Sequence, residues 1–160
     1  MKHLLVVYSS QSGRTEALMR AALAGAATQA EAVTARCCRA LDAGLDDLLW
    51  AQGLLLATPE NFGYMSGALK DFLDRTYYPA QNRTNGLPYA LIISAGNDGS
   101  GAVRAIERIA IGYGWKAITE PIIVRGSMPD ATQQDIPADA LQRCHELGEG
   151  FAAGLAAGVF

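Results

Sequence analysis

The 160-residue chain carries 13 Lys and Arg against 16 Asp and Glu, a net charge of -3, and half of its residues are hydrophobic. A chain of this length buries roughly two thirds of the surface its unfolded form exposes, so one core without a disulfide or metal staple is expected, and 18% charged residues leave little room for a disordered tail. The mild acidity argues against a nucleic-acid partner, and apolar runs of about five residues fall far short of the ~20 that span a bilayer, so no membrane partner is expected.

Met1-Lys2-His3 leads directly into the apolar run Leu4 to Tyr8 and not into a signal-type region, which predicts a first strand and a cytoplasmic protein. A polar loop then opens a helix over Thr15 to Ala27. A weaker strand candidate lies around Ala32 to Ala35, and a short helix near Leu45 to Trp50. Strands follow at Gly53 to Ala57, Tyr89 to Ser94 and Pro121 to Val124, separated by helices over Gly67 to Tyr77 and Gly101 to Tyr113 and closed by one over Pro137 to Ala157. The strands are apolar almost throughout, without clean alternation, as suits a parallel sheet covered on both faces. Within the third helix, Leu69, Phe72, Leu73 and Thr76 form an inward stripe while Lys70, Asp71, Asp74 and Arg75 face outward. Gly148, Gly150, Gly154 and Gly158 weaken the last helix and let it approach a neighbour closely. No repeat, linker or boundary divides the chain, so a single domain over 1–160 is expected.

Alternating strands and helices of this length predict a doubly wound five-stranded sheet, because crossovers are right-handed and consecutive elements pack together. Such sheets bind ligands beyond the carboxyl ends of their strands, where the winding reverses. Three loops therefore matter. In the first, Ser10-Gln11-Ser12-Gly13-Arg14-Thr15, three hydroxyls and a glycine precede the unpaired N–H groups and positive end of a helix, which suits an anion; an ordinary Ser or Thr cap is the alternative. The loop matches neither G-x-x-x-x-G-K-[ST] nor G-x-G-x-x-G, so neither a nucleoside triphosphate nor a dinucleotide pyrophosphate is its natural guest. The second is Thr58-Pro59-Glu60-Asn61-Phe62-Gly63-Tyr64-Met65-Ser66-Gly67; Pro59 stiffens it, and Phe62 is either an aromatic wall or a plug for the core. The third, Ser94-Ala95-Gly96-Asn97-Asp98-Gly99-Ser100-Gly101, reads as a turn or as a place of close backbone approach.

Ser10-Gln11-Ser12-Gly13-Arg14-Thr15 resembles the [ST]-x-[ST]-G-x-T phosphate loop of the flavodoxins. The second loop with Ala68 to Arg75 resembles the TP-x-x-F/Y-G-x-M-S/P-G…K-x-F-L/I-D-R segment of flavodoxin-like NAD(P)H-dependent FMN reductases and WrbA-type quinone oxidoreductases. The resemblance implies a flavodoxin-like α/β fold with strand order 2-1-3-4-5 and helices on both faces. It implies FMN as cofactor, its phosphate on Ser10, Gln11, Ser12, Gly13, Arg14 and Thr15 and its ring against Pro59, Glu60, Asn61, Phe62 and Gly63, completed by Ser94, Ala95, Gly96, Asn97 and Gly99. It further implies NADH or NADPH as electron donor, a quinone or similar small-molecule acceptor, and a homodimer or homotetramer. The chain departs from long-form quinone reductases in lacking their insertion and any His in the three loops, and its third loop lacks the aromatic that flavodoxins stack on the outer flavin face. A flavodoxin-type electron carrier is the rival reading, and a charge of -3 is mild beside the acid-rich docking faces of such carriers. Glu60 and Asp98, if near the ring, would disfavour an anionic reduced flavin and lower its potential unless backbone N–H groups offset them.

The remaining polar and aromatic residues read as structural. His3 lies at the far end of the first strand and His145 in the last helix; Trp50 and Trp115 read as core or interface, and Asp42 to Asp47 as a solvated turn and helix start. Adjacent Cys37 and Cys38, with distant Cys144, form neither a metal-type spacing nor a disulfide framework, so inert thiols and no metal site are expected.

Overall fold

In the computed structural model, which describes residues 1–126 and 136–160, strands and helices alternate as the apolar runs predict. In chain order they are β1 (Lys2–Tyr8), α1 (Arg14–Ala26), β2 (Val33–Arg39), α2 (Leu45–Trp50), β3 (Gly53–Asn61), β4 (Tyr64–Met65) and α3 (Gly67–Ala80), then β5 (Pro88–Ala95), α4 (Ser100–Tyr113), β6 (Lys116–Ala117), β7 (Ile122–Arg125) and α5 (Ala138–Ala157). β1 pairs in parallel with β2 on one side and β3 on the other, with Leu5 opposite Arg36 and Leu54 respectively. β3 pairs in parallel with β5, and β5 with β6 and then β7, which make up one interrupted edge strand. With the antiparallel two-residue β4 set aside, the spatial order is the expected 2-1-3-4-5.

The boundaries differ where apolar character gives no signal. β2 runs from Val33 to Arg39 and not from Ala32 to Ala35, because it is an exposed edge strand whose VTARCCR sequence shows no apolar run. β3 continues past Ala57 to Asn61, since Thr58 and Pro59 stay buried and Pro59 still pairs with Ser94. α3 continues past Tyr77 to Ala80 through Pro79. A proline there removes one backbone bond close to the helix end, where a break costs least.

Alternate residues of the central strands feed two cores. Leu5, Val7, Leu54, Leu56, Leu91 and Ile93 pack with residues of α2, α3 and α4; Leu4, Val6, Leu55, Ala57, Ala90 and Ile92 pack with α1 and α5. Covering both faces is what makes the strand sequences continuously apolar. In α3 the stripe Leu69, Phe72, Leu73 and Thr76 is buried as expected, and the outer residues form the ion pairs Lys70–Asp74 and Arg75–Asp71, both 2.7 Å. On the other face, α1 and α5 meet almost backbone to backbone. A Cβ on Gly148 would run into the Ala22 carbonyl, and one on Gly25 into the His145 carbonyl.

Residues read as structural find structural partners. His3 stacks on Trp50 at 4.3 Å and bonds its carbonyl through Nδ1, and Trp115 is buried, with Nε1 donating to Thr84. The three thiols are free, and burial pushes each up, that of Cys144 to about 11, which keeps thiolate scarce near neutral pH.

Tyr113 gives the α3–α4 core a measurable pH signature. Its hydroxyl donates to the Leu73 carbonyl at 2.7 Å and lies 2.8 Å from Thr76 Oγ1, its ring stacks on Trp115, and burial pushes the phenol up to about 12. A phenol that holds its proton more tightly when folded contributes stability that is complete below the unfolded pKa near 10 and is lost as the pH rises towards 12. Urea unfolding is therefore expected to show a loss of about 2–3 kcal/mol across that interval, and Tyr113→Phe should abolish most of the slope.

Candidate functional site

The three expected loops meet at the carboxyl end of the sheet. The first leaves β1 and turns into α1 through Gly13, whose φ of +92° is left-handed. Ser10 Oγ accepts the N–H groups of Gly13 at 3.1 Å and Glu16 at 3.3 Å. Among the described residues, nothing accepts from the N–H groups of Ser12, Arg14 or Thr15, and the hydroxyl of Thr15, a residue only 2% exposed, has no hydrogen-bond partner. Converging free N–H groups at the positive end of a 13-residue helix form a cradle for an anion. Gln11 and Ser12 are exposed at its rim.

Arg14 enters the cradle through its backbone only. Its side chain is 2% exposed, and Nη2 donates to the Arg125 carbonyl at 2.8 Å. The guanidinium occupies the space where a Cβ on Gly126 would sit. Anchoring the end of β7 is thus the work its side chain does in this structure.

In the second loop, β3 and β4 form a hairpin with Asn61 opposite Tyr64 and Phe62-Gly63 at its tip. Both tip residues are left-handed, with φ of +51° and +71°. A two-residue hairpin with positive φ at both positions matches the sheet's twist, but it strains a phenylalanine where Asn or Gly is the usual occupant. Phe62 is fully exposed, so the alternative that it plugs the core is overturned. Pro59 is buried, Thr58 Oγ1 accepts the Ser66 N–H at 3.1 Å, and Ser66 Oγ caps α3 by accepting the Leu69 N–H at 3.2 Å.

Ser94 and Ala95 of the third loop are buried at the end of β5, whereas Gly96, Asn97 and Asp98 are exposed and Gly99, φ +77°, leads into α4. The two carboxylates here are already engaged. Glu60 Oε1 accepts the Gly99 N–H at 3.2 Å and its Oε2 the Ala102 N–H at 3.1 Å. Asp98 Oδ1 accepts from the Ser100 N–H and hydroxyl, which hold its carboxyl below the usual carboxylate range. Each charge therefore faces the positive end of α4, which offsets the field that the sequence reading assigned to them.

Two contributors escaped the sequence reading. Arg125 Nη2 donates to the Asp98 carbonyl at 3.1 Å, and the Gly126 N–H donates to the Ala95 carbonyl at 3.0 Å, so the end of β7 supports the third loop. A glycine directly after a strand at the switch-point edge is the signal that could have marked them. At the tips of the second and third loops Phe62, Gly63, Gly96 and Asn97 are exposed. A hollow of about 340 Å³ is lined by Ser9 and Ser10 together with Arg39, Leu41, Asp42 and Ala68.

A family model described as NADPH-dependent FMN reductase matches residues 1–124. The chain belongs to that family. A flavodoxin of Aquifex aeolicus is 29% identical over 101 residues, 63% of this chain and 54% of the relative, so the match spans about half of that relative's length. Among solved structures, a flavodoxin from the domain Archaea superposes with a TM-score of 0.78 at 22% identity, covering 96% of this chain and 98% of that one. A WrbA-like flavodoxin from Agrobacterium tumefaciens superposes with a TM-score of 0.74 at 17% identity, covering 99% of both chains. The fold is flavodoxin-like. Among the described residues, no helix is long and apolar enough to cross a membrane.

Proposed function

We propose that this chain binds one FMN, with its phosphate on the first loop and its ring between the second and third, and is an NAD(P)H-dependent oxidoreductase serving a quinone or similar small acceptor. The single observation that carries this reading is the cradle at Ser12, Arg14 and Thr15, whose backbone N–H groups have no acceptor among the described residues. That donor set fits a phosphate monoester, with the Gly13 turn keeping side chains out of the way. When bound, FMN supplies the capacity to accept hydride from a nicotinamide and pass electrons onward. The chain's own residues anchor and orient it: backbone N–H groups and the Ser12 and Thr15 hydroxyls take the phosphate, Pro59 and Phe62 wall the ring, and Gly96 and Asn97 leave its far side open. Phe62, exposed and strained at the hairpin tip, is free to offer its aromatic face to the ring. Neither nucleic acid nor a membrane belongs to this reading, which places a homodimer or homotetramer in the cytoplasm.

The purified protein is expected to take up one FMN per chain and to bind it at least about 100-fold more tightly than riboflavin, since the phosphate contacts are worth about 3 kcal/mol or more. Equal affinities would remove the cradle from the site. Similarity to the Aquifex flavodoxin supports a second reading, an electron carrier without its own substrate turnover. Anaerobic NADPH or NADH separates the two: bleaching of the bound flavin without a partner protein supports the enzyme, and persistent colour supports the carrier.

A further inference from the structure

The second and third loops are joined by one side chain. Glu60, at the end of β3, spans to the first turn of α4 and uses each carboxylate oxygen once, on Gly99 and on Ala102. Gly101 lies between those two residues, and the Gly63 carbonyl stands where its Cβ would be, so the hairpin tip rests on the helix. Beyond the strand pairing of Pro59 with Ser94, no other side chain among the described residues hydrogen-bonds the second loop to the third. The third loop is held from its far side by Arg125 and Gly126.

We infer that Glu60 is a positioning residue: it fixes the spacing of the second and third loops, and so the affinity for the flat ring of a flavin, without touching the ring. The inference rests on the FMN reading above. A ligand slides into a preset slot without first ordering its walls, and that ordering cost is what the clasp removes. Glutamine at this position keeps one acceptor oxygen and turns an N–H towards the other backbone N–H, so one tie is lost and a donor faces a donor.

The test uses Glu60→Gln and, as a second variant acting through a different contact, Gly101→Ala, which pushes the Gly63 carbonyl off α4. For each, FMN affinity is measured by quenching of flavin fluorescence, inorganic phosphate affinity by calorimetry, and amide exchange of residues 61–65 in the flavin-free protein. Both variants are expected to bind FMN about 10-fold more weakly or worse, the worth of one charge-assisted hydrogen bond. Phosphate affinity should stay unchanged, the hairpin amides should exchange faster, and the visible circular dichroism of bound FMN should change. FMN affinity like that of the wild type in both variants overturns the clasp, as does a parallel fall in phosphate affinity, which would mean general loosening. Failure of the wild type to bind FMN overturns the inference together with the reading on which it rests.

Discussion

Alanine at both Ser12 and Thr15 is expected to weaken FMN binding by about 3 kcal/mol, roughly 150-fold. Each hydroxyl would give the phosphate a charge-assisted hydrogen bond worth about 1.5–3 kcal/mol. Ser12 is exposed, so water replaces much of what it gives, whereas Thr15 is buried and its hydroxyl has no partner among the described residues. The larger share therefore falls on Thr15. For the same reason the flavin-free protein should lose little, under about 1 kcal/mol, because no hydrogen bond among the described residues is given up. A fluorescence titration beside a thermal melt of the flavin-free form checks both halves. Unchanged affinity would take the two residues out of the site, and an early melt would assign Thr15 to the fold.

Within α5, two glycines two residues apart are expected to respond to substitution with opposite signs. Helix propensity favours replacing either one, by about 0.8–1.0 kcal/mol for alanine. At Gly150 a Cβ meets nothing within 4 Å, so Gly150→Ala should realise that gain. At Gly148 a Cβ runs into the Ala22 carbonyl, and a backbone cannot swing aside as a flexible side chain can. Gly148→Val should therefore cost about 3 kcal/mol or more, because α1 and α5 must separate and expose the core they share around Leu18, Cys144 and Phe151. Urea midpoints that shift the same way for both variants would refute the backbone contact.

These particular residues show how far the amino-acid sequence carries. β1, β3 and β5 are legible because a strand buried on both faces must be apolar at every position, and the loops after them are legible because small, polar and Gly-rich stretches at a switch point have few other uses. β2 shows only as the weak candidate around Ala32 to Ala35, its extent to Arg39 hidden, because among the described residues one neighbour pairs with it and most of its side chains meet water. The close approach of α5 could be read from its glycines, though not the residues it meets. The side-chain destinations of Glu60 and Arg14 were beyond reach. Both residues sit in the expected loops, but their partners, Ala102 and Arg125, lie 42 and 111 residues further along and arrive only through the folding of the whole sheet.

The open margin at β2 places a demand on the surface around it. An unpaired strand edge is a template on which another chain can add a strand, and proteins blunt such edges with charge. Here Arg36 and Arg39 are exposed along the strand, and Arg36 is fixed in place by Asp47 at 2.7 Å and by the face of Trp50 at 4.1 Å. These long charged side chains, with Arg36 held by its ion pair, stand where the strand of a second copy would have to pack. The residues that gave this strand its weak sequence signal are thus the ones that guard the sheet against growing into an aggregate.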